Sequence, residues 1–199
     1  MIKDVIQLLQ NNLNPYFGLN LPISHLAGLT FLKEFTVSET DNVKNSYPVP
    51  VDSREAKGNL LYLVPDKSKR CIVWFESTDF TQKDINSGYM AKGRIDVFCW
   101  YNSEHFSCGF VQSKIVRLLM SALKGSFERN EIVKSLSMVP VSIKENDPTI
   151  FSKYSYNKTN PEALLPPFSY FKISYDATFA YSISDSCTTD LVVIDPKAC

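Results

Sequence analysis

Residues 93–125 read GRIDVFCWYNSEHFSCGFVQSKIVRLLMSALKG, and this stretch decides the fold class. Ile95, Val97, Cys99 and Tyr101 share one face of an extended segment, while Phe98 and Trp100 occupy the other. Side chains alternate along a strand, so apolar groups on both faces predict a central strand over 93–101 covered on both sides. A short polar link follows. Then Val111, Ile115, Leu118, Leu119 and Ala122 recur at helical spacing, and Gly125 follows as a natural C-terminal stop. Strand, short loop and amphipathic helix together predict an α+β fold rather than an all-helical or all-β one.

Working outward, Ile2, Val5, Ile6, Leu9 and Leu13 form a second apolar stripe, ended by Asn14-Pro15, and predict a leading helix. Residues 29–37 mix β-branched and aromatic side chains and predict a strand. Residues 39–59 are polar, carry Pro48 and Pro50 two apart and show no period, so a long arm or loop is expected. Residues 60–64 and 70–77 flank Pro65-Asp66-Lys67-Ser68-Lys69, whose Pro and Asp favour a turn, and predict a β-hairpin. Residues 78–92 are expected to be a polar connector.

On the other side of the helix, 136–144 predicts a strand and 145–167 an irregular loop ending in Pro166-Pro167. From 171 to 183 the alternation is sustained, with Phe171, Ile173, Tyr175, Ala177, Phe179, Tyr181 and Ile183 on one face. Thirteen extended residues span about 43 Å, enough to overhang a small domain unless a bulge intervenes. Residues 191–194 predict a last short strand. The expected order is α-β-β-β-β-α-β-β-β, in a single α+β domain over 1–199 whose antiparallel or mixed sheet is packed by two amphipathic helices.

The 199 residues carry 21 Lys plus Arg and 21 Asp plus Glu, a balance that excludes broad electrostatic attraction to nucleic acid or anionic membrane. At this length a single domain buries roughly 70% of its unfolded surface and needs no metal or disulfide to make a core. Cys71, Cys99, Cys108, Cys187 and Cys199 are odd in number and unpaired in spacing, which suits a reducing compartment. Charge and amide groups interrupt the first helix, so it lacks a signal-peptide core, and no apolar run approaches the ~20 residues of a membrane span. A soluble or peripheral protein is expected.

Candidate chemistry is sparse. His25 and His105 are the only histidines, and no Gly-x-Ser-x-Gly surrounds a nucleophile. Cys99, His105 and Cys108 lie close in sequence but lack the paired spacing and fourth ligand of a zinc site, so Cys71 and Cys99 are expected to be small core residues. Asp66 and Glu76 resemble the acidic pair of metal-dependent nucleases, although Thr78 stands where a lysine belongs. Asp52, Glu55 and Lys57 fall in the arm. No glycine-rich phosphate loop exists, and Lys67, Lys69 and Arg70 read as a solvated turn. No catalytic residue, metal ligand or cofactor is assigned. Phe151, Tyr154, Tyr156 and Phe168 in the second loop, with Tyr47, Val49 and Val51 in the arm, either plug these segments onto their own domain or form a partner interface.

The layout resembles the small ring-forming neck and tail proteins of tailed bacteriophages, in particular tail terminator and tail completion proteins. A leading helix, a β-hairpin, a strand such as 93–101, an amphipathic helix such as 111–123 and long closing strands carry the resemblance from Ile2 to about Ile183; the 39–59 arm, the 145–167 loop and the extra C-terminal strand depart from it. It implies a non-enzymatic virion protein, assembled in the host cytoplasm into a homo-oligomeric ring. The ring would be a hexamer, or a dodecamer in a head-tail connector. Its partners would be other neck or tail proteins, with DNA passing through the lumen without sequence-specific binding and no membrane involved. A metal-dependent nuclease and a monomeric binding module are the competing expectations.

Overall fold

Two long helices and several short helical turns pack against a mixed sheet in the computed structural model, which describes residues 1–14, 25–38, 43–51, 62–85, 88–106, 111–126 and 132–182. Helix α1, Ile2–Leu13, buries Val5, Ile6, Leu9 and Leu13, the stripe that its spacing predicts. Helix α2, Val111–Ala122, buries Ile115, Val116 and Leu119. The strands are β1 (His25–Ser38), β2 (Val43–Pro50), β3 (Cys71–Ile85), β4 (Gly88–Asn102), β5 (Gly125–Ser126), β6 (Val133–Glu145) and β7 (Phe168–Tyr181). They form a sheet in the order β2-β1-β3-β4-β7-β6-β5, and the fold is α+β.

The sheet has two differently covered faces. On one, Val73, Phe75, Val97, Cys99, Ile173, Tyr175 and Phe179 pack against the buried stripes of α1 and α2. On the other, Ile72, Trp74, Phe98, Trp100 and Tyr170 lie beneath Ile150, Phe151, Tyr154 and Tyr156. The central strand expected at 93–101 is therefore β4, apolar and buried on both sides.

The expected 60–77 hairpin does not form. Its turn exists, with Asp66 accepting from the Ser68 backbone N–H at 2.8 Å, but residues 62–66 are not a strand. Instead β3 runs parallel to the first residues of β1 and antiparallel to β4. A strand buried on both faces from Cys71 to Phe75 removes more apolar surface from water than a surface hairpin would. The expected connector at 78–92 is mostly the outer half of the β3–β4 hairpin, which turns back where Ile85 pairs with Gly88. A bulge at Asp79 and Phe80 breaks the register there. It lays the Phe80 ring over Gly93, where an added Cβ would stand 2.6 Å from ring atoms.

Part of the expected arm, residues 43–50, is also a strand, pairing antiparallel with β1 from Thr30↔Pro50 to Ser38↔Val43. The 145–167 loop folds into short helical turns at Pro148–Phe151, Tyr156–Thr159 (α3) and Pro161–Leu164. Strand β7 does not overhang: it pairs with β4 along its whole length, from Asn102↔Phe168 to Tyr89↔Tyr181. The strand expected at 191–194 lies outside the described residues. Among the described residues, no helix is long and apolar enough to cross a membrane.

Candidate assembly surfaces

Tyr47, Val49, Phe151, Tyr154, Tyr156 and Phe168 are buried, and of the seven residues expected at an interface only Val51 is exposed. The aromatic loop plugs onto its own sheet. Phe151 contacts the rings of Trp74, Phe98, Trp100, Tyr154, Tyr156 and Tyr170, all with centroids within 6.2 Å. Tyr156 donates its hydroxyl to the Leu63 carbonyl at 2.6 Å, and burial pushes that phenol well above its ordinary pKa. Tyr47 stacks on Tyr62 at 4.5 Å and meets Tyr156 at 5.5 Å. Its hydroxyl bonds to the Thr159 hydroxyl.

The surface apolar groups lie elsewhere. Strand β1 pairs with β3 only from His25 to Leu29, and beyond that point it pairs with β2 alone. The two continue as a ribbon past the main sheet, on which Phe31 is 44% and Leu32 49% exposed, with Val51 and Tyr62 exposed nearby. Adjacent residues of a strand face opposite ways, so neither face of the ribbon can bury both Phe31 and Leu32. That adjacency is visible in the sequence and marks exposed apolar surface outside the expected interface residues. Further exposed apolar residues lie on β6, where Val139 is 56% and Val141 50% exposed and Ile143 is also exposed. The bulge between Pro140 and Ser142 divides them between faces: Val139 pairs with Asp176, whereas Ile143 pairs with Ile173 on the helix-covered side.

Beside the aromatic loop the same sheet face turns polar. Glu76 and Asp96 are register partners and both are buried. Lys153, from the loop, pairs with Glu76, and Lys172 pairs with Asp96 at 2.9 Å. Burial raises the Glu76 pKa above its ordinary value, and the Lys153 ammonium opposes that shift only in part. Both lysines also lie over the Phe98 ring, at 5.7 and 5.6 Å from its centroid. Arg94 and Asp176 continue the stripe as an exposed pair.

The structure does not bring Asp66 and Glu76 together. Asp66 caps a surface turn, its pKa lowered by hydrogen bonds from Ser68, whereas Glu76 lies five residues into β3, about 16 Å along the strand from Cys71. Cys71 and Cys99 are buried core thiols with sulfurs 3.3 Å apart, and burial raises the Cys99 pKa well above normal. His105 bonds through Nε2 to the Lys67 carbonyl at 2.8 Å, on a short turn exposed to solvent. Cys108, Asp52, Glu55 and Lys57 lie outside the described residues. Among the described residues, no three His, Cys, Asp or Glu side chains are grouped to hold a metal ion. A concavity of about 410 Å³ is bordered by His25, Tyr62, Leu63, Asp66 and Lys69. His25 has its pKa lowered there, by burial first and by Lys69 second.

No protein-family model matches the chain, and no curated protein matches it.

Proposed function

We propose that the chain is a non-enzymatic structural subunit of a phage virion, closing with copies of itself into a ring at the neck or tail end, as a tail terminator or head-tail joining protein. The observation that carries this reading is the β1–β2 ribbon, which pairs with β3 only as far as Leu29 and exposes Phe31, Leu32 and Val51 while Tyr47 and Phe35 pack on the aromatic loop. Large apolar groups on such an element stabilise a contact with another surface by removing area from water, at roughly 25 cal/mol per Å². Such a ribbon seated on a different patch of the next copy is a heterologous contact, and repeated heterologous contacts close into rings when the rotation permits. The element order of helix, hairpins, helix and long closing strands adds support through its resemblance to neck and tail proteins.

Light scattering at several concentrations, with negative-stain images of the same samples, tests this reading. Closed six-fold or twelve-fold rings are expected from the wild type. In the double variant Phe31→Asp with Leu32→Asp, monomers are expected, with unfolding stability changed by no more than about 0.5 kcal/mol because both sites are solvated. A wild type that stays monomeric at every concentration, or rings that survive the double variant, would overturn it.

A further inference from the structure

We propose that the concavity between the start of β1 and the 62–69 segment binds a small apolar α-amino acid, its carboxylate on Lys69 and His25 and its ammonium on Asp66. This inference goes beyond the ring proposal and does not rest on it, because every group it uses lies within one protomer.

The cavity exists because residues 62–66 do not join the sheet. The space between them and the first residues of β1 and β3, about 410 Å³, has apolar walls of Ala27, Pro50, Leu63, Val64 and Ile72. That volume is at the small end of ligand cavities, which run from about 300 to 1,000 Å³. The walls are pinned at both ends. Leu63 donates its N–H to the Pro48 carbonyl at 2.9 Å and accepts the Tyr156 hydroxyl at 2.6 Å. Further along, the Lys67 carbonyl accepts from Asn102 Nδ2 at 3.4 Å and meets His105 Nε2 at 2.8 Å, and the Arg70 carbonyl accepts from the Asn102 N–H at 2.9 Å. A site held in this way loses little conformational entropy when a small molecule enters.

Three side chains give the apolar walls a charged rim. Lys69 is partly buried and makes no ion pair among the described residues, yet its ammonium lies close enough to lower the pKa of both His25 and Asp66. Asp66 uses Oδ1 for the Ser68 N–H and hydroxyl, at 2.8 and 2.7 Å, and among the described residues Oδ2 has no partner. A cation and an anion that share one rim without pairing are complementary to a ligand that carries both signs. His25 is kept neutral, by burial first and by Lys69 second, so its ring N–H can donate to a carboxylate whose charge Lys69 meets. An α-amino acid holds its two charges on one carbon, from which the side chain leaves toward the apolar walls. An apolar acid would leave Asp66 unmatched, and an apolar amine would leave Lys69 unmatched.

Proton NMR of the two histidines, on the full chain with L-leucine as the probe, tests the assignment. A carboxylate beside the imidazole favours its charged form, so leucine is expected to raise the His25 pKa saturably and to leave His105 unmoved. Leucinamide, which lacks the carboxylate, should not raise it, and isocaproate, which lacks the ammonium, should bind about tenfold more weakly than leucine. Without ligand, Lys69→Met should raise the His25 pKa by removing the nearby cation, and it should abolish the response to leucine. Asp66→Asn keeps the oxygen that Ser68 bonds and should bring leucine down to the affinity of isocaproate. No saturable response by about 10 mM leucine overturns the inference, as does a response that survives Lys69→Met. Equal affinity of leucine and isocaproate in the wild type also overturns it, because the ligand class is then an apolar acid. The double variant Phe31→Asp with Leu32→Asp should respond to leucine as the wild type does, so either proposal can fail without the other.

Discussion

At the β2 end of the sheet, outward backbone groups are consumed within the chain: the Ser46 carbonyl accepts from Ser155 N–H and the Pro48 carbonyl from Leu63 N–H, each at 2.9 Å. The Ser46 N–H is taken by the Ser155 hydroxyl, and Pro48 and Pro50 have no N–H to offer. At the β6 end, residues 139–145 meet no partner strand on their outer side among the described residues and carry exposed Val139, Val141 and Ile143. An edge closed by prolines and by the chain's own loop is guarded against pairing, whereas an apolar open edge is a place for another strand. The difference teaches what the aromatic loop is for. It covers one sheet face and, through Ser155 and through Thr159 on Tyr47, closes the edge beside that face, while among the described residues the far edge has no such cover.

The largest expected effect comes from removing the centre of that closure. Phe151→Ala vacates a fully buried site among six rings and should cost about 3–5 kcal/mol in urea unfolding, with the Ser46 amide losing protection at the same time. A cost near 1 kcal/mol would mean that the loop is not what holds the β2 edge shut. Ser155→Ala is narrower. It takes the acceptor from the Ser46 N–H and should cost about 1 kcal/mol while leaving the aromatic cluster intact, so amide exchange rises at Ser46 and not at Trp100.

Glu76 links the same loop to the sheet through Lys153, and its raised pKa gives the link a pH signature. The folded state holds the Glu76 proton more tightly than the unfolded chain does. The contribution is therefore fully present below the ordinary value of 4.5 and is lost as pH rises through the folded value. Glu76→Gln removes that dependence. The stability of the wild type relative to Glu76→Gln should fall from pH 4.5 upward, and Lys153→Met should steepen the fall, because the ammonium that most opposes the shift is gone. A difference that is flat with pH would show that the loop does not bury Glu76 in solution.

Sequence patterns made visible those parts of the fold whose side chains carry the energetics. The stripes of α1 and α2, the two-faced apolar run of β4 and the long alternation of β7 are each legible because burial imposes a period. Strand β2, with Lys44, Asn45 and Ser46, and the outer half of β3, with Thr81, Gln82, Lys83 and Asp84, are ordered by backbone pairing. Backbone hydrogen bonds leave no mark on residue type. The aromatic loop was legible as sticky but not as to what it sticks to: Phe151 and Tyr156 suit a partner or their own sheet equally well, and only the placement of Trp74 and Trp100 beneath them decides. Phe31-Leu32 and the slip from Met138 to Val139 were legible in principle, as breaks in alternation rather than as motifs.

The smallest effect on stability, and the sharpest contrast between the edges, belongs to a pair of lysines. Lys144 on β6 and Lys44 on β2 are both about half exposed, each in a surface ion pair, with Asp147 and Glu34 respectively, of a kind that contributes about 0–1 kcal/mol. Lys144→Val and Lys44→Val should therefore each leave unfolding within about 0.5 kcal/mol of the wild type. Their consequences for association should differ. On β6 the outer edge of residues 139–145 has no strand partner among the described residues, so Lys144→Val should lower solubility and raise the scattering mass. On β2 the edge is already closed by Ser155, Leu63 and the prolines, and Lys44→Val should change neither. Equal association in the two variants would mean that added apolar area, rather than an open strand edge, drives it, and the contrast between the edges would lose its meaning.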